Sequence, residues 1–254
     1  MIQTRAGRSY VKSQGVTVRC YGSPARRRSA LDFGHPASAS ERLTKVTGAD
    51  PNLDPAYSAS LLRRAKALQT EAEEVMQTLD LMTMLGVLGR PEQIGSSVSG
   101  LMVWPDIDVT VRCRDVTLER VWDTLRPLLI NPQVTRLSYS NETGARSPSG
   151  DIADQRFYFV IHYETARGKE WKIDVSIWTS DAPRPHLAQL AELERRLTRE
   201  TTLAILWIKD VWHRLPVYPY EVGGSEVYDA VFEHGARSPD DFDRYLRKRG
   251  LPAR

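Results

Sequence analysis

Asp106 and Asp108 flank a single apolar residue, Ile107, in a run from 106 to 111 whose alternation predicts a strand. Successive strand side chains point to opposite faces, so both carboxylates share a face with Thr110, and Ile107, Val109 and Val111 take the other. Carboxylates that close repel one another unless a positive charge lies between them. A divalent metal ion is the candidate for that charge. A third acid, Asp174, interrupts the strand pattern of 171–178. There Trp171, Ile173, Val175 and Ile177 form one face, and Lys172, Asp174, Ser176 and Trp178 the other. Aspartate is disfavoured in strands, which makes sense here if the two polar faces are continuous. Three carboxylates on adjacent strands can hold two divalent cations about 3.5–4 Å apart, the separation used in two-metal phosphoryl chemistry. Oxygen ligands suit Mg²⁺ or Mn²⁺, with phosphate and water completing the shell.

A phosphate-binding element would have to lie nearby, and Gly95-Ser96 precedes the acid pair by nine residues. Successive backbone N–H groups at such a turn favour phosphate oxygens, Ser96 adds a hydroxyl, and Gly95 leaves room for close approach. Ile94 followed by Gly95-Ser96, then Asp106-x-Asp108, then Asp174 on a later strand, resembles the polymerase-beta-type nucleotidyltransferase superfamily, in its minimal or antibiotic-type branch. The resemblance covers roughly residues 60–215. It implies a small mixed sheet flanked by helices, with Gly95 and Ser96 at the start of a helix under the nucleotide triphosphate. It further implies that Asp106 and Asp108 bind both of two Mg²⁺ or Mn²⁺ ions and Asp174 the one at the attacking hydroxyl. A lysine on a C-terminal helix often reaches the triphosphate in this family, and Lys209 matches in position and character; a solvated or snorkelling side chain is the competing reading. The apolar residues after Gly100, Leu101 to Trp104, and Pro105 directly before the first acid leave space for only a short phosphate helix.

The elements that must position these residues follow from periodicity. Apolar residues recur near 3.6 spacing over 55–85, with Gly86, Gly89 and Pro91 ending the helix. A short strand at 92–96 leads into the motif. A helix at 115–130 follows, with Val121, Trp122, Leu125, Leu128 and Leu129 on its apolar side, then a strand at 134–140 and a Gly/Ser/Pro loop. The segments 156–164 and 170–178 read as a hairpin. Helices are expected at 186–197, 200–214, 225–233 and 239–248. Ser225 is the expected N-cap of the third, and Ser238-Pro239-Asp240-Asp241 forms a capping box at the fourth. Strands in the middle with helices at both ends indicate an α+β fold. The expected division is a basic tail at 1–50, a nucleotidyltransferase core at 51–182 and a C-terminal helical region at 183–254.

Charge separates the tail from the rest. Residues 1–50 hold nine Lys or Arg against three acidic residues, +6, so the remaining residues sum to −3 of the total +3. The tail is rich in Ser, Arg, Gly and Ala without apolar period, and is expected to be disordered. Its Arg-rich start has some transit-peptide character and lacks the apolar core of a secretory signal. The rest has no net basic excess to draw nucleic acid by long-range field. Two cysteines, Cys20 and Cys113, support neither a disulfide framework nor a thiolate metal cluster and suit a reducing, cytoplasmic setting. The longest apolar runs are too short to span a bilayer, so no membrane partner is expected. No P-loop and no dinucleotide fingerprint occur, and the histidines share no metal spacing. The expected activity is transfer of a nucleoside monophosphate, AMP from ATP foremost, to a hydroxyl of a small-molecule acceptor, releasing pyrophosphate. An RNA 3′ end or a protein hydroxyl is the alternative acceptor, and a non-catalytic nucleotide-binding module the alternative of another class.

Overall fold

The computed structural model describes residues 11–13, 16–20, 53–151 and 154–254. The protein is α+β, built on a mixed sheet of five strands flanked by helices. In chain order these are β3 (Arg90–Ile94), β4 (Asp106–Arg112), β5 (Val134–Glu142), β6 (Arg156–Glu164) and β7 (Glu170–Trp178), arranged β5-β6-β7-β4-β3. Only the β4–β7 pair of these five strands is parallel. Within the basic tail, β1 (Val11–Ser13) and β2 (Val16–Cys20) pair antiparallel, and β2 continues the sheet parallel to β5. Apart from those two strands, the expectation of disorder over 1–50 lies outside the described residues.

Two compact units make up the chain. The first gathers Glu71–Ser97 and Pro105–Leu187 with β1 and β2; the second gathers residues 53–70, Val98–Trp104 and Ala188–Arg254.

In the first unit one sheet face is packed and the other is polar. Ile107, Val109, Val111, Trp171, Ile173, Val175, Ile177, Phe159 and Ile161 are all at most 1% exposed. Helix α4 (Leu118–Ile130) covers this face, its Trp122 ring 5.2 Å edge-on from Phe159 and 5.5 Å from Tyr139. Each such side chain contributes roughly 1.5–3 kcal/mol by leaving water, and a one-residue slip would expose all of them together. Burial of the odd-numbered residues of β4, β6 and β7 therefore fixes where the even-numbered ones point.

Some element boundaries differ from expectation for local reasons. The helix expected at 55–85 is two, α1 (Pro55–Thr78) and α2 (Leu81–Gly86), separated at Asp80, which has φ 46°. Aspartate tolerates this left-handed geometry, and the break lets Leu79, Leu81 and Leu85 all be buried. Helix α4 starts at Leu118 rather than near 115, because Thr117 Oγ1 accepts from the Arg120 amide at 3.3 Å. The strand expected at 92–96 occupies Arg90–Ile94, and Ser96 already belongs to a single helical turn, α3 (Ser96–Ser99).

In the second unit α6 (Arg199–Trp212) is buried among the first part of α1, α7 (Gly224–Phe232) and α8 (Pro239–Lys248), with Leu61, Leu206, Ile208, Trp212, Val227 and Phe242 in one cluster. Gly223 rather than Ser225 caps α7, its amide held by Glu226 Oε2 at 2.8 Å. The capping box at α8 is as expected. Ser238 Oγ accepts from the Asp241 amide at 3.2 Å, and Asp241 Oδ2 accepts from the Ser238 amide at 3.0 Å. Helix α5 (Pro185–Arg196) joins the units in sequence. Among the described residues no helix is long and apolar enough to cross a membrane.

Candidate active site on the polar face of the sheet

The even-numbered residues of the central strands form rows across the sheet. Asp108 of β4 is directly opposite Asp174 of β7, with Ile94 of β3 on its other side. In the neighbouring row Asp106 is opposite Lys172, and Lys172 opposite His162 of β6. On the other side of the acids Thr110 is opposite Ser176, and Ser176 opposite Tyr158. Asp106, Asp108 and Asp174 thus share one face of two adjacent strands, as alternation and a parallel register require. Their neighbour Val160 opposes Asp174 from β6, so the acids have an apolar wall on that side.

Lys172 sets the electrostatics. Its Nζ donates to Asp106 Oδ1 at 3.1 Å and to Asp174 Oδ2 at 2.7 Å, and its side chain is 32% exposed. Burial works to lower the ammonium, but the charges and hydrogen bonds of Asp106 and Asp174 overcome it and hold Lys172 above its ordinary value. The cation between the acids in this structure is therefore a lysine. Among the described residues no three His, Cys, Asp or Glu side chains close up into a ready-made ion cage. One carboxylate oxygen nonetheless lacks what buried oxygens normally have: Asp174 Oδ1 is buried and accepts no hydrogen bond. Tyr158 faces the same carboxylate and hydrogen-bonds to it. Burial, then the Asp174 charge and hydrogen bond, outweigh the nearby Arg156 guanidinium and push its phenol well above its usual value, with the Asp108 charge adding a little, so it stays protonated.

Gly95 is required by the site for two reasons. Its φ is +77°, in the region L side chains avoid, and an added Cβ would come within 2.3 Å of Asp108 Oδ2. The Asp108 carboxylate therefore sits directly against the Gly95 backbone. Ser96 opens α3, whose four residues give the short helix expected from the sequence. Gln93 Nε2 donates to Ser97 Oγ at 2.9 Å and braces that turn.

Beyond the acids the face is built from paired groups. Arg156 Nε donates to Glu142 Oε2 at 2.6 Å and Nη1 to Ser176 Oγ at 2.8 Å, with its guanidinium over the Tyr158 and Trp178 rings. Trp178 Nε1 donates to Thr110 Oγ1 at 2.7 Å. At the other end Arg136 contacts the His162 ring, and His162 Nδ1 pairs with Glu170 Oε1 at 3.0 Å. His162 thus belongs to a charged strand network.

Lys209 lies in the second unit. It is 3% exposed, its Nζ donates to the Leu101 carbonyl at 2.6 Å, and its charge rests 5.4 Å from the Trp104 ring centroid. In this position it ties α6 to the 98–104 segment. Sequence reasoning singled out the three acids and Gly95-Ser96 but gave Lys172 and Tyr158 no role. The signal for Lys172 was present: opposite charges two residues apart on a strand share a face. Tyr158 needed the hairpin register, which becomes countable once the Thr165–Lys169 turn is known; Thr165 and Lys169 bond through main chain at 2.9 Å.

No protein-family model matches the chain, and no curated protein matches it. Among solved structures, a cytoplasmic RNA terminal U-transferase is similar with a TM-score of 0.36 and 15% identity, over 59% of this chain and 46% of that one. The match thus spans less than half the length of that protein.

Proposed function

We propose that the polar face of the sheet is a nucleotidyl-transfer site, of the kind the motif resembles, with Asp106, Asp108 and Asp174 as its acids. The observation that carries the reading is Asp108 directly opposite Asp174, with Asp106 on the same face and Asp174 Oδ1 buried without a partner. An unsatisfied buried oxygen costs about 1–3 kcal/mol, which a bound cation would remove. Two divalent cations on these carboxylates, Mg²⁺ or Mn²⁺, would neutralise the triphosphate and lower the pKa of the acceptor hydroxyl. The hydroxyl oxygen attacks the α-phosphorus of ATP or another nucleoside triphosphate and forms the new P–O bond. The bridging P–O bond breaks and pyrophosphate leaves. Asp174 takes the hydroxyl proton. Tyr158, held protonated, offers its O–H to that carboxylate, and Gly95 leaves room for the Asp108 carboxylate beside it.

A small hydroxyl-bearing acceptor, perhydroxylated or polyamine-like, suits the −3 charge of residues 51–254. An RNA 3′ end and a protein hydroxyl are the other outcomes of the test. The full chain is incubated with Mg²⁺ or Mn²⁺ and each α-labelled nucleoside triphosphate. Pooled aminoglycosides, RNA and protein serve as acceptors, with pyrophosphate and labelled product followed. The expected result is labelled product with one acceptor class, lost in Asp108→Asn. Absence of nucleotide-dependent pyrophosphate release in every pool overturns the transfer reading.

One observation favours a second reading. Lys172 already neutralises Asp106 and Asp174, as it would in a nucleotide-binding module that lacks catalysis. In that case nucleotide binds with the same affinity with and without divalent cation, and no pyrophosphate appears.

A further inference from the structure

The Lys172 ammonium and a divalent cation cannot use the same oxygens at once. Nζ lies 3.1 Å from Asp106 Oδ1 and 2.7 Å from Asp174 Oδ2. A metal held by Asp106 and Asp174 would displace it, since a cation that close to an ammonium is strongly repelled. The displaced side chain has the means to move. It is a third exposed, and lysine is a compact charge on a flexible four-carbon stem. Other cations on this face are committed elsewhere: Arg156 to Glu142 and Ser176, and Arg112 to Glu92 at 3.1 Å. Lys209, the lysine expected at the phosphates, donates to the Leu101 carbonyl in the other unit.

We propose that Lys172 is a triphosphate-binding residue that exchanges anions. It neutralises Asp106 and Asp174 when the acids carry no metal, and pairs with a phosphate of the nucleotide once a divalent cation takes its place. This inference rests on the metal-dependent reading of the site given above. A charge freed beside a negative ligand is better satisfied by that ligand than by water at a partly buried position. Two consequences follow from linkage. Metal alone binds weakly, because it must evict the ammonium without giving it another anion. Metal and nucleotide then strengthen each other's binding by the same factor, because each supplies what the other's arrival needs. Lys172 thereby keeps the site from loading with metal before nucleotide is present.

The test measures binding without turnover. Mn²⁺ is titrated into the full chain, free and with saturating α,β-methylene-ATP, and followed by electron paramagnetic resonance and calorimetry. In the wild type the analogue should tighten Mn²⁺ at least tenfold, within the usual range of coupling between sites. Lys172→Met should bind Mn²⁺ alone about tenfold more tightly than wild type, and the analogue should tighten it less than threefold. Lys172→Arg keeps the charge and should retain weak binding of Mn²⁺ alone, which guards against a folding defect in Lys172→Met. Asp108→Asn serves as the reference for the metal site and should lose Mn²⁺ under both conditions. Equal Mn²⁺ affinity in wild type and a folded Lys172→Met, or equal coupling, sinks the role of Lys172 and leaves the metal site standing. If Lys172→Met does not fold, a Lys172→Arg chain that binds Mn²⁺ alone tightly sinks it equally. Failure of wild type and Lys172→Met alike to bind Mn²⁺, with or without the analogue, overturns the metal-dependent reading itself.

Discussion

Each unit buries an aspartate beside cations, and the two are furnished differently. In the helical unit Asp210, on α6, is satisfied at both oxygens. Tyr57 donates to Oδ2 at 2.6 Å, and Arg64 and Arg214 approach Oδ1 at 2.9 and 3.4 Å. In the sheet unit Asp174 has Lys172 on Oδ2 and the Tyr158 phenol beside it, and shares that lysine with Asp106. There Lys172 is shared by two acids, whereas in the helical unit Asp210 has two cations. An aspartate that serves folding is surrounded until its charge is matched. One that serves a ligand is left short, because the ligand brings the rest. On the proposed reading the contrast separates a structural carboxylate from a functional one by whether its cation is shared, not by burial, since both are mostly buried.

Replacing each acid by its amide or by alanine should break the comparison open. Asp108→Asn is expected to lower nucleotidyl transfer by about a thousandfold, ~4 kcal/mol of transition-state stabilisation, since a preorganised charge is removed. Its melting temperature without metal should equal or exceed that of wild type, because one of three mutually repelling carboxylates is gone. Labelled-product assays and calorimetry on the same preparations check both halves. A variant that kept its transfer rate would make Asp108 an ordinary strand residue.

The opposite pattern is expected for Asp210→Ala. It leaves the Tyr57 hydroxyl and two guanidinium groups without their shared partner, a loss of about 2 kcal/mol. For a chain of this size that is a fall of roughly 4–8 °C in melting temperature. Mn²⁺ affinity should not change. An Asp210→Ala chain as stable as wild type would show that its arginines are equally content in water, as their exposure of 45% and 64% allows. Gly95→Ala is intermediate. The positive φ alone costs about 1 kcal/mol, and the methyl would push the Asp108 carboxylate aside. Stability should fall modestly and Mn²⁺ affinity with nucleotide by more than tenfold, read by the titration already described.

Legibility in the sequence follows the same division. The alternation at 171–178 and 106–111 places Asp106, Asp108 and Asp174 on polar faces, because a strand has period two and one face must be apolar. Gly95 was legible as a glycine that something approaches closely; that the something is Asp108 itself required the β3–β4 register. The break at Asp80 and the cap at Gly223 were not legible. Leucines on both sides of Asp80 keep a helical spacing, and Ser225 is the better cap by residue type. The burial of Lys209 is not legible, because a buried charge has no sequence signal apart from its partner, and the Leu101 carbonyl is 108 positions away. Lys172 was visible on the right face but was not read as the cation between the acids.

The smallest expected effect concerns pH. Burial works to raise the Asp210 carboxyl, but the Tyr57 hydrogen bond and then the Arg64 charge and hydrogen bond hold it below its ordinary value. A carboxyl lowered in the folded state contributes stability that is complete above its unfolded value, near 4, and is lost as pH falls through the folded one. Wild type should therefore lose stability below about pH 4 in a way that Asp210→Asn does not. The difference in denaturation midpoint between the two chains should stay constant from pH 7 to 5 and shrink toward pH 3. Asp241, lowered by amides and by Ser238 at the α8 cap, contributes to both chains alike and cancels in the difference. If the Asp210→Asn difference stayed flat to pH 3, the carboxyl would not be the matched, structural charge that its three partners make it, and the two units would handle acid in the same way.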